Sequence, residues 1–285
     1  MRFGFVLPNN WGVGDVGAVV DLARRSEDAG FDSVWVNHHL LNVGYVGERL
    51  GERPYHDALT VLTWAAASTS RVELGTSVLV IAYLNPFVLA KAVATLDQLS
   101  EGRVRCGVGV GSLPEENEAV GVVAYADRGA YADEFIGVLR TLWDDAEPAY
   151  HGRFFSFGPV RAAPKPWQHR RLPVAVGGNR PAALRRVARF GDCWHALGVT
   201  VDGMRKRLGR LDALLEEQGR SRRDVTISLR FDVPAGSTPS SLIELCHGYR
   251  DAGVAEMVLS FGSPDIDDHR RLLDTVATEV IPVLR

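Results

Sequence analysis

Apolar positions along the chain switch repeatedly between two spacings, and the switching predicts a fold. Short β-branched runs at residues 2–8, 33–36, 72–80, 104–110, 174–176, 193–197, 225–233 and 257–260 read as strands, most of them bounded by Gly, Pro, Asn or Asp. Between them the period lengthens to that of an amphipathic helix. Over residues 16–29, Val16, Val19, Val20 and Ala23 share one face and Gly30 closes the last turn. Further helices are predicted over 57–69, 86–102, 128–143, 181–190, 204–218, 240–252 and from 267 to the C-terminus. Asn85 is a natural N-cap for the second of these, and Pro86 stands at the first helical position, where a missing N–H costs nothing. Alternation of strand and helix implies the α/β class with a parallel sheet. Eight repeats favour a closed (β/α)8 barrel over an open sheet.

Two stretches interrupt the alternation. Residues 40–55 have no clear period and contain Gly44, Gly47 and Gly51, and a loop of that length in a compact chain is usually functional or mobile. Residues 150–157 are rich in aromatics around Gly152 and suggest a small hairpin, followed by a Pro- and Arg-bearing connection over 161–173. Neither is long enough to be a domain, so residues 1–285 are expected to form a single barrel domain with loop insertions.

Charge and composition narrow the function classes. A formal net charge of −3 gives no electrostatic reason to expect nucleic acid or an anionic membrane as partner. The 3 cysteines, Cys106, Cys193 and Cys246, are far apart and odd in number, which argues against a disulfide framework. No apolar run reaches the roughly 18 residues of a spanning helix, and the first residues lack the pattern of a signal peptide; a cytoplasmic location is expected.

In a barrel of this kind ligands bind at the C-terminal ends of the strands. The residues falling there are Leu7, Pro8 and Asn9; Asn37, His38 and His39; Thr76, Ser77 and Val78; Gly109, Val110, Gly111 and Ser112; Gly177, Gly178, Asn179 and Arg180; and His195. Gly177 and Gly178 before a helix beginning at Pro181 would let backbone amides approach a phosphate, although the same residues suit a plain strand-to-helix turn. His38 and His39 are adjacent, so on extended backbone only one is expected to face the mouth. That histidine could donate a proton near neutral pH; equally, one could lie in the core and the other on the surface. The pair is a poor metal site, and no further ligand stands at a recognised spacing, so no metal is expected. Glu115, Glu116 and Glu118 could supply a general acid, but three carboxylates beginning a helix are more often surface charges complementing its dipole. Residues 107–111 lie in and just after a strand, which is the wrong context for a nicotinamide fingerprint. Trp11, Tyr45 and Tyr83 are candidates for the walls of an apolar pocket.

These pieces together resemble a known family. AGFDSVWVNHH (29–39), LGTSV (74–78), NPFVLAK (85–91), TLDQLSEGR (95–103), GVGVG (107–111), PKP (164–166), PVAVGG (173–178) and GDCW (191–194), in that order, are similar to the bacterial luciferase-like family of flavin- and deazaflavin-dependent oxidoreductases. The overall pattern looks most like its actinobacterial branch, which uses coenzyme F420. The resemblance implies a TIM barrel carrying the cofactor ring at the strand ends, with a non-proline cis peptide near Ser77-Val78 supporting one ring face. It implies His38, Ser77, Val78 and Val110 around the cofactor, Gly177, Gly178 and Asn179 at its phosphate, and His39 as the catalytic proton partner. Compared with the glucose-6-phosphate dehydrogenases of the family, His38-His39 stands where they have Asp-His, and Ser112 stands where they have a catalytic Glu. The implied activity is hydride transfer between F420 and a small organic substrate. The alternatives are an FMN-dependent monooxygenase fed by a separate reductase and a flavin-binding barrel without catalysis. A homodimer is expected by the same resemblance.

Overall fold

Eight parallel strands close on themselves. The computed structural model describes residues 1–285, and the barrel strands are β1 (Arg2–Val6), β2 (Ser33–Val36), β3 (Glu73–Thr76), β4 (Val104–Gly109), β5 (Val174–Gly177), β6 (Cys193–Leu197), β7 (Thr226–Asp232) and β8 (Glu256–Ser260). Each pairs with its neighbour in sequence, and β1 pairs with β8 to complete the ring (Arg2 opposite Glu256, Phe5 opposite Leu259). The pairing of β3 with β4 is short, through Leu74–Val104 and Gly75–Arg105. The expected strand over 72–80 is broken after Thr76 and resumes as Leu79–Val80, which pairs with the end of β4. The break is the Ser77-Val78 peptide, which is cis.

The helices in chain order are α1 (Val16–Asp28), α2 (Gly44–Leu50), α3 (Ala58–Ser68), α4 (Pro86–Leu99), α5 (Pro114–Val120), α6 (Arg128–Asp144), α7 (Pro181–Phe190), α8 (Val201–Glu217), α9 (Pro239–Asp251), α10 (Ile266–Thr275) and the short α11 (Ile281–Leu284). Their starts are written in the sequence: Asp15, Asp57, Asn85, Thr200 and Thr238 each accept a backbone N–H of the first turn. The aperiodic stretch over 40–55 is not all loop, because it contains α2. Its short apolar face, Val46 and Leu50, packs on Leu113 with Tyr55 against them, folding this segment over the mouth of the barrel. The aromatic hairpin is present as Tyr150–His151 paired with Ser156–Phe157. No helix is long and apolar enough to cross a membrane.

Period-two alternation divides the buried residues into two environments. Outward-facing residues such as Phe3, Phe5, Leu74, Ile227 and Leu229 join the helices in one apolar layer. The lumen is different: its apolar part is a separate small cluster of Val6, Trp35 and Val258, and the rest is polar. Arg105 lies over the Trp35 ring at 4.8 Å, and Trp35 also stacks on His195 with centroids 4.5 Å apart and planes within 11°. Below, Arg105 donates to the fully buried Glu256 (2.6 Å), which also accepts from Ser33 Oγ (2.7 Å), so the charges are paired inside the barrel. This column carries support from the bottom of the barrel to the mouth.

Trp35 fits only because small residues face it. A Cβ on Gly75 would lie 2.2 Å from Trp35 Cε3, and one on Gly4 would lie 2.9 Å from Nε1. Trp35 is fully buried against Arg105 and His195, with little room to retreat. Gly75→Ala should therefore cost at least the usual overpacking penalty of about 3 kcal/mol. Urea unfolding of the variant checks this, and a loss below about 1 kcal/mol would mean that the column yields.

Candidate active site

A cavity of about 480 Å³ opens at the C-terminal ends of the strands, a size that suits a small ligand. Its floor is the Ser77-Val78 segment. Val78 is wedged between glycines: a Cβ on Gly109 would stand 2.6 Å from Val78 Cγ2, and one on Gly177 would stand 2.9 Å from it. Ser77 is fixed from beneath by His195, whose Nε2 lies 2.8 Å from Ser77 Oγ while its Nδ1 lies 2.7 Å from Ser228 Oγ. Burial, reinforced by Arg105 and Arg230, pushes the His195 pKa down to about 3, so the ring is a neutral strut at working pH.

Both histidines of the pair line this cavity, against the expectation that only one would face the mouth. The strand ends at Val36, so the strict alternation of side chains along it does not extend to the pair. Val80 N–H donates to His38 Nδ1 (3.2 Å), leaving the proton of the neutral ring on Nε2. Burial lowers the His38 pKa to about 4, so His38 is a neutral hydrogen-bonding group at pH 7. His39 is placed differently, with Nδ1 2.5 Å from Glu116 Oε2 and Nε2 3.1 Å from the Tyr45 hydroxyl.

Glu116 corrects the reading of the acidic helix start as surface charge. It lies in α5, is fully buried, and accepts from Leu40 N–H (2.6 Å) and Leu41 N–H (3.0 Å) as well as facing His39. Burial opposes its ionisation, but the hydrogen bond and charge of His39 and the two amides outweigh it and hold the carboxyl below its ordinary range. Ser112 also lines the cavity, so a carboxylate missing at that position is present at the histidine from one helical turn further on.

Across the mouth, Gly177 and Gly178 lead into α7, whose N-cap residue Arg180 makes no side-chain cap and whose first turn carries no acidic residue. Gly178 has φ +109°, and its carbonyl accepts from Trp194 Nε1 (2.8 Å), which pins the turn. The uncapped amides and positive dipole end are suited to a phosphate. Of the residues expected around a cofactor, His38, Ser77, Val78, Val110, Gly177 and Gly178 line the cavity. Asn179 is not among the lining residues: its amide donates to the Leu197 carbonyl and accepts the Leu197 N–H (3.3 Å), tying β5 to β6. The glycine-cleared floor and the adjoining amide turn fit a planar ring with a phosphate-bearing tail.

Sequence reading missed one whole wall. Asn10, Arg49, Tyr55, Arg230 and Asp232 line the cavity and make it more polar than the expected aromatic pocket. Tyr45 is the one of the three expected aromatics that lines it; Trp11 lies behind, under the Arg49 guanidinium at 4.3 Å. A signal for Arg230 and Asp232 was available in β7, where Thr226, Ser228, Arg230 and Asp232 alternate with Ile227, Leu229 and Phe231. In a strand covered outside by helices, that alternation marks the lumen face.

Comparison with known proteins agrees with this geometry. The pattern of the luciferase-like monooxygenase family matches residues 1–277. An F420-dependent glucose-6-phosphate dehydrogenase from Kineococcus radiotolerans is 30% identical, with 94% of this chain and 93% of that protein covered. Among solved structures, an F420-dependent secondary alcohol dehydrogenase in complex with an F420-acetone adduct superposes with a TM-score of 0.85 at 19% identity, covering 100% of this chain and 99% of that one. A monooxygenase from Streptomyces bottropensis superposes at 0.83 with 22% identity, covering 100% of both chains. The structural likenesses show a shared fold, and the match over nearly the full length shows more: this chain belongs to the luciferase-like monooxygenase family.

Proposed function

We propose that the protein is an F420-dependent oxidoreductase that moves a hydride between the deazaflavin and a small organic substrate. The observation that carries this reading is the His39–Glu116 pair beside a floor cleared by glycines. The full-length likeness to an F420-dependent dehydrogenase supports the choice of cofactor. Val78, Gly109 and Val110 would lie against the ring, and the Gly177-Gly178 turn would hold the phosphate. When bound, the deazaflavin supplies or accepts the hydride.

The chain's own residues supply the proton chemistry. Ionised Glu116 accepts from His39 Nδ1–H, which fixes the ring orientation and leaves Nε2 as the atom that takes or gives a proton at a substrate oxygen. Tyr45 holds that atom at 3.1 Å until substrate replaces it. His38, neutral through the physiological range, contributes its Nε2–H as a fixed donor. Packing of Val46, Leu50 and Tyr55 on Leu113 holds the covering segment beside the cavity.

Titration of the apo-protein with F420 and with FMN, followed by exposure of each reduced complex to air, tests the assignment. Tight F420 binding with slow reoxidation is expected, whereas FMN-selective binding with rapid oxygen consumption would indicate a monooxygenase. His39→Ala should leave F420 affinity within about twofold and lower turnover by roughly 10²- to 10⁴-fold, the usual worth of a positioned acid or base. A collapse of affinity would assign His39 to cofactor binding.

A further inference from the structure

The polar wall opposite the phosphate turn has no role in the chemistry described above. Asn10 follows β1, Asn37 follows β2, Arg49 lies on α2 and Arg230 on β7; β1 and β2 are neighbours, and β8 alone separates β1 from β7. Four buried donors on this wall have no partner in the protein: Arg49 Nε, Arg230 Nε, Asn37 Nδ2 and the Tyr55 hydroxyl. Three of these can only donate, while the Tyr55 hydroxyl can also accept; the unpartnered amide acceptor beside them is Asn10 Oδ1. Unmatched buried donors are costly, and so large an excess in one wall calls for an acceptor-rich guest.

Both guanidiniums are already fixed. Arg49 is stacked over Trp11 and donates to the Asn10 carbonyl (3.1 Å), while Arg230 donates to Asn37 Oδ1 and to Asp232 Oδ1 (3.3 Å). Burial together with the charge of Arg230 lowers the Arg49 pKa, which shows two like charges held near each other. Asp232 offsets one of them, so the cluster keeps one uncompensated positive charge. A carboxylate balances that charge; a phosphate dianion overshoots it. Tyr55 also sets its ring edge-on against His39, with centroids 5.9 Å apart, so a group bound at this wall lies beside the proton-handling residue.

We infer that the substrate of this enzyme is a small organic acid, held by its carboxylate on Arg49, Arg230 and Tyr55 with its reacting carbon toward His39. The inference rests on the proposed reading of the cavity as an oxidoreductase site and names the substrate class for it. It assigns the wall to substrate and the Gly177-Gly178 turn to cofactor, so the two are separable by binding.

The test is calorimetric titration of the protein with benzoate, with the neutral isostere benzamide and with inorganic phosphate, alongside a separate fluorescence titration with F420. Benzoate is expected to bind at least tenfold tighter than benzamide and tighter than phosphate. Arg49→Gln and Arg230→Gln should each weaken benzoate at least tenfold, leave benzamide unchanged and leave F420 affinity within twofold. Arg230→Lys should fall between wild type and Arg230→Gln, which separates lost charge from a misfolded wall. Equal affinities for benzoate and benzamide, or tighter phosphate binding lost with the same arginines, would overturn the carboxylate assignment. A parallel loss of F420 affinity in the arginine variants would make the wall a cofactor anchor and overturn it as well. Selective benzoate binding in a protein that ignores F420 would keep this inference and sink the cofactor reading.

Discussion

Glu116→Gln should lower kcat/KM by roughly 10²- to 10⁴-fold while leaving F420 affinity nearly unchanged, because it reverses the tautomer of His39 rather than removing it. The glutamine carbonyl can still accept from the Leu40 and Leu41 amides, but its NH2 then faces His39 Nδ1, where the carboxylate had accepted a proton. The ring must answer with Nδ1 as acceptor, which puts its proton on Nε2 and removes the lone pair that faces substrate. Steady-state kinetics across pH and a fluorescence titration with F420 check this, and an unchanged kcat/KM would show that Glu116 is only a scaffold. Glu116→Ala goes further, since the half-buried hydrogen bonds from His39, Leu40 N–H and Leu41 N–H lose their charged acceptor, and about 2–5 kcal/mol of stability should go with them. The sign of the pH effect follows from the lowered folded-state pKa. Stability from Glu116 is present above its ordinary value near 4 and is lost as pH falls through the folded value, so the glutamine variant should lack this part of the acid limb.

The larger acid effect belongs to His195. The unfolded chain binds a proton here below about pH 6.5, whereas the folded ring, buried between Trp35, Ser77 and Ser228, resists protonation down to about 3. Stability must therefore fall as pH drops through this window, by about 1.4 kcal/mol for each pH unit, reaching on the order of 5 kcal/mol from this residue alone. His38 adds a smaller loss of the same sign between about 6.5 and about 4. Native stabilities are only about 5–15 kcal/mol, so acid unfolding well above pH 3 is expected. His195→Gln can keep one of the hydrogen bonds and has no proton to gain. Its urea midpoint should fall less steeply than wild type between pH 5.5 and 4.5, the difference being about 1 kcal/mol. Parallel pH profiles for the two proteins would exclude His195 as the sensor.

Local rules were enough for the scaffold and part of the floor. Alternation, caps and glycine stops gave eight strands and their helices, because period and capping are properties of neighbours in sequence. Family motifs pointed to Ser77-Val78 and to Gly177-Gly178 as the segments proposed to hold a cofactor, and both line one cavity. The break in β3 moved an expected strand boundary, and α2 replaced part of an expected loop.

What the sequence by itself determined, then, was the barrel and the strand ends from which a site would be built. Which side chains meet at that site was decided only in three dimensions. Glu116 reaches His39 across 77 residues, Arg230 reaches Asn37 across 193, and Ser77 reaches His195 across 118. None of these separations leaves a periodic trace, since closure of the barrel, not local geometry, pairs β8 with β1, so that β7 stands one strand from β1, and sets α5 under the loop after β2. An acidic run that looks like surface charge became a buried partner for a histidine, because burial and hydrogen bonding depend on what folds over a residue and not on its neighbours in the chain.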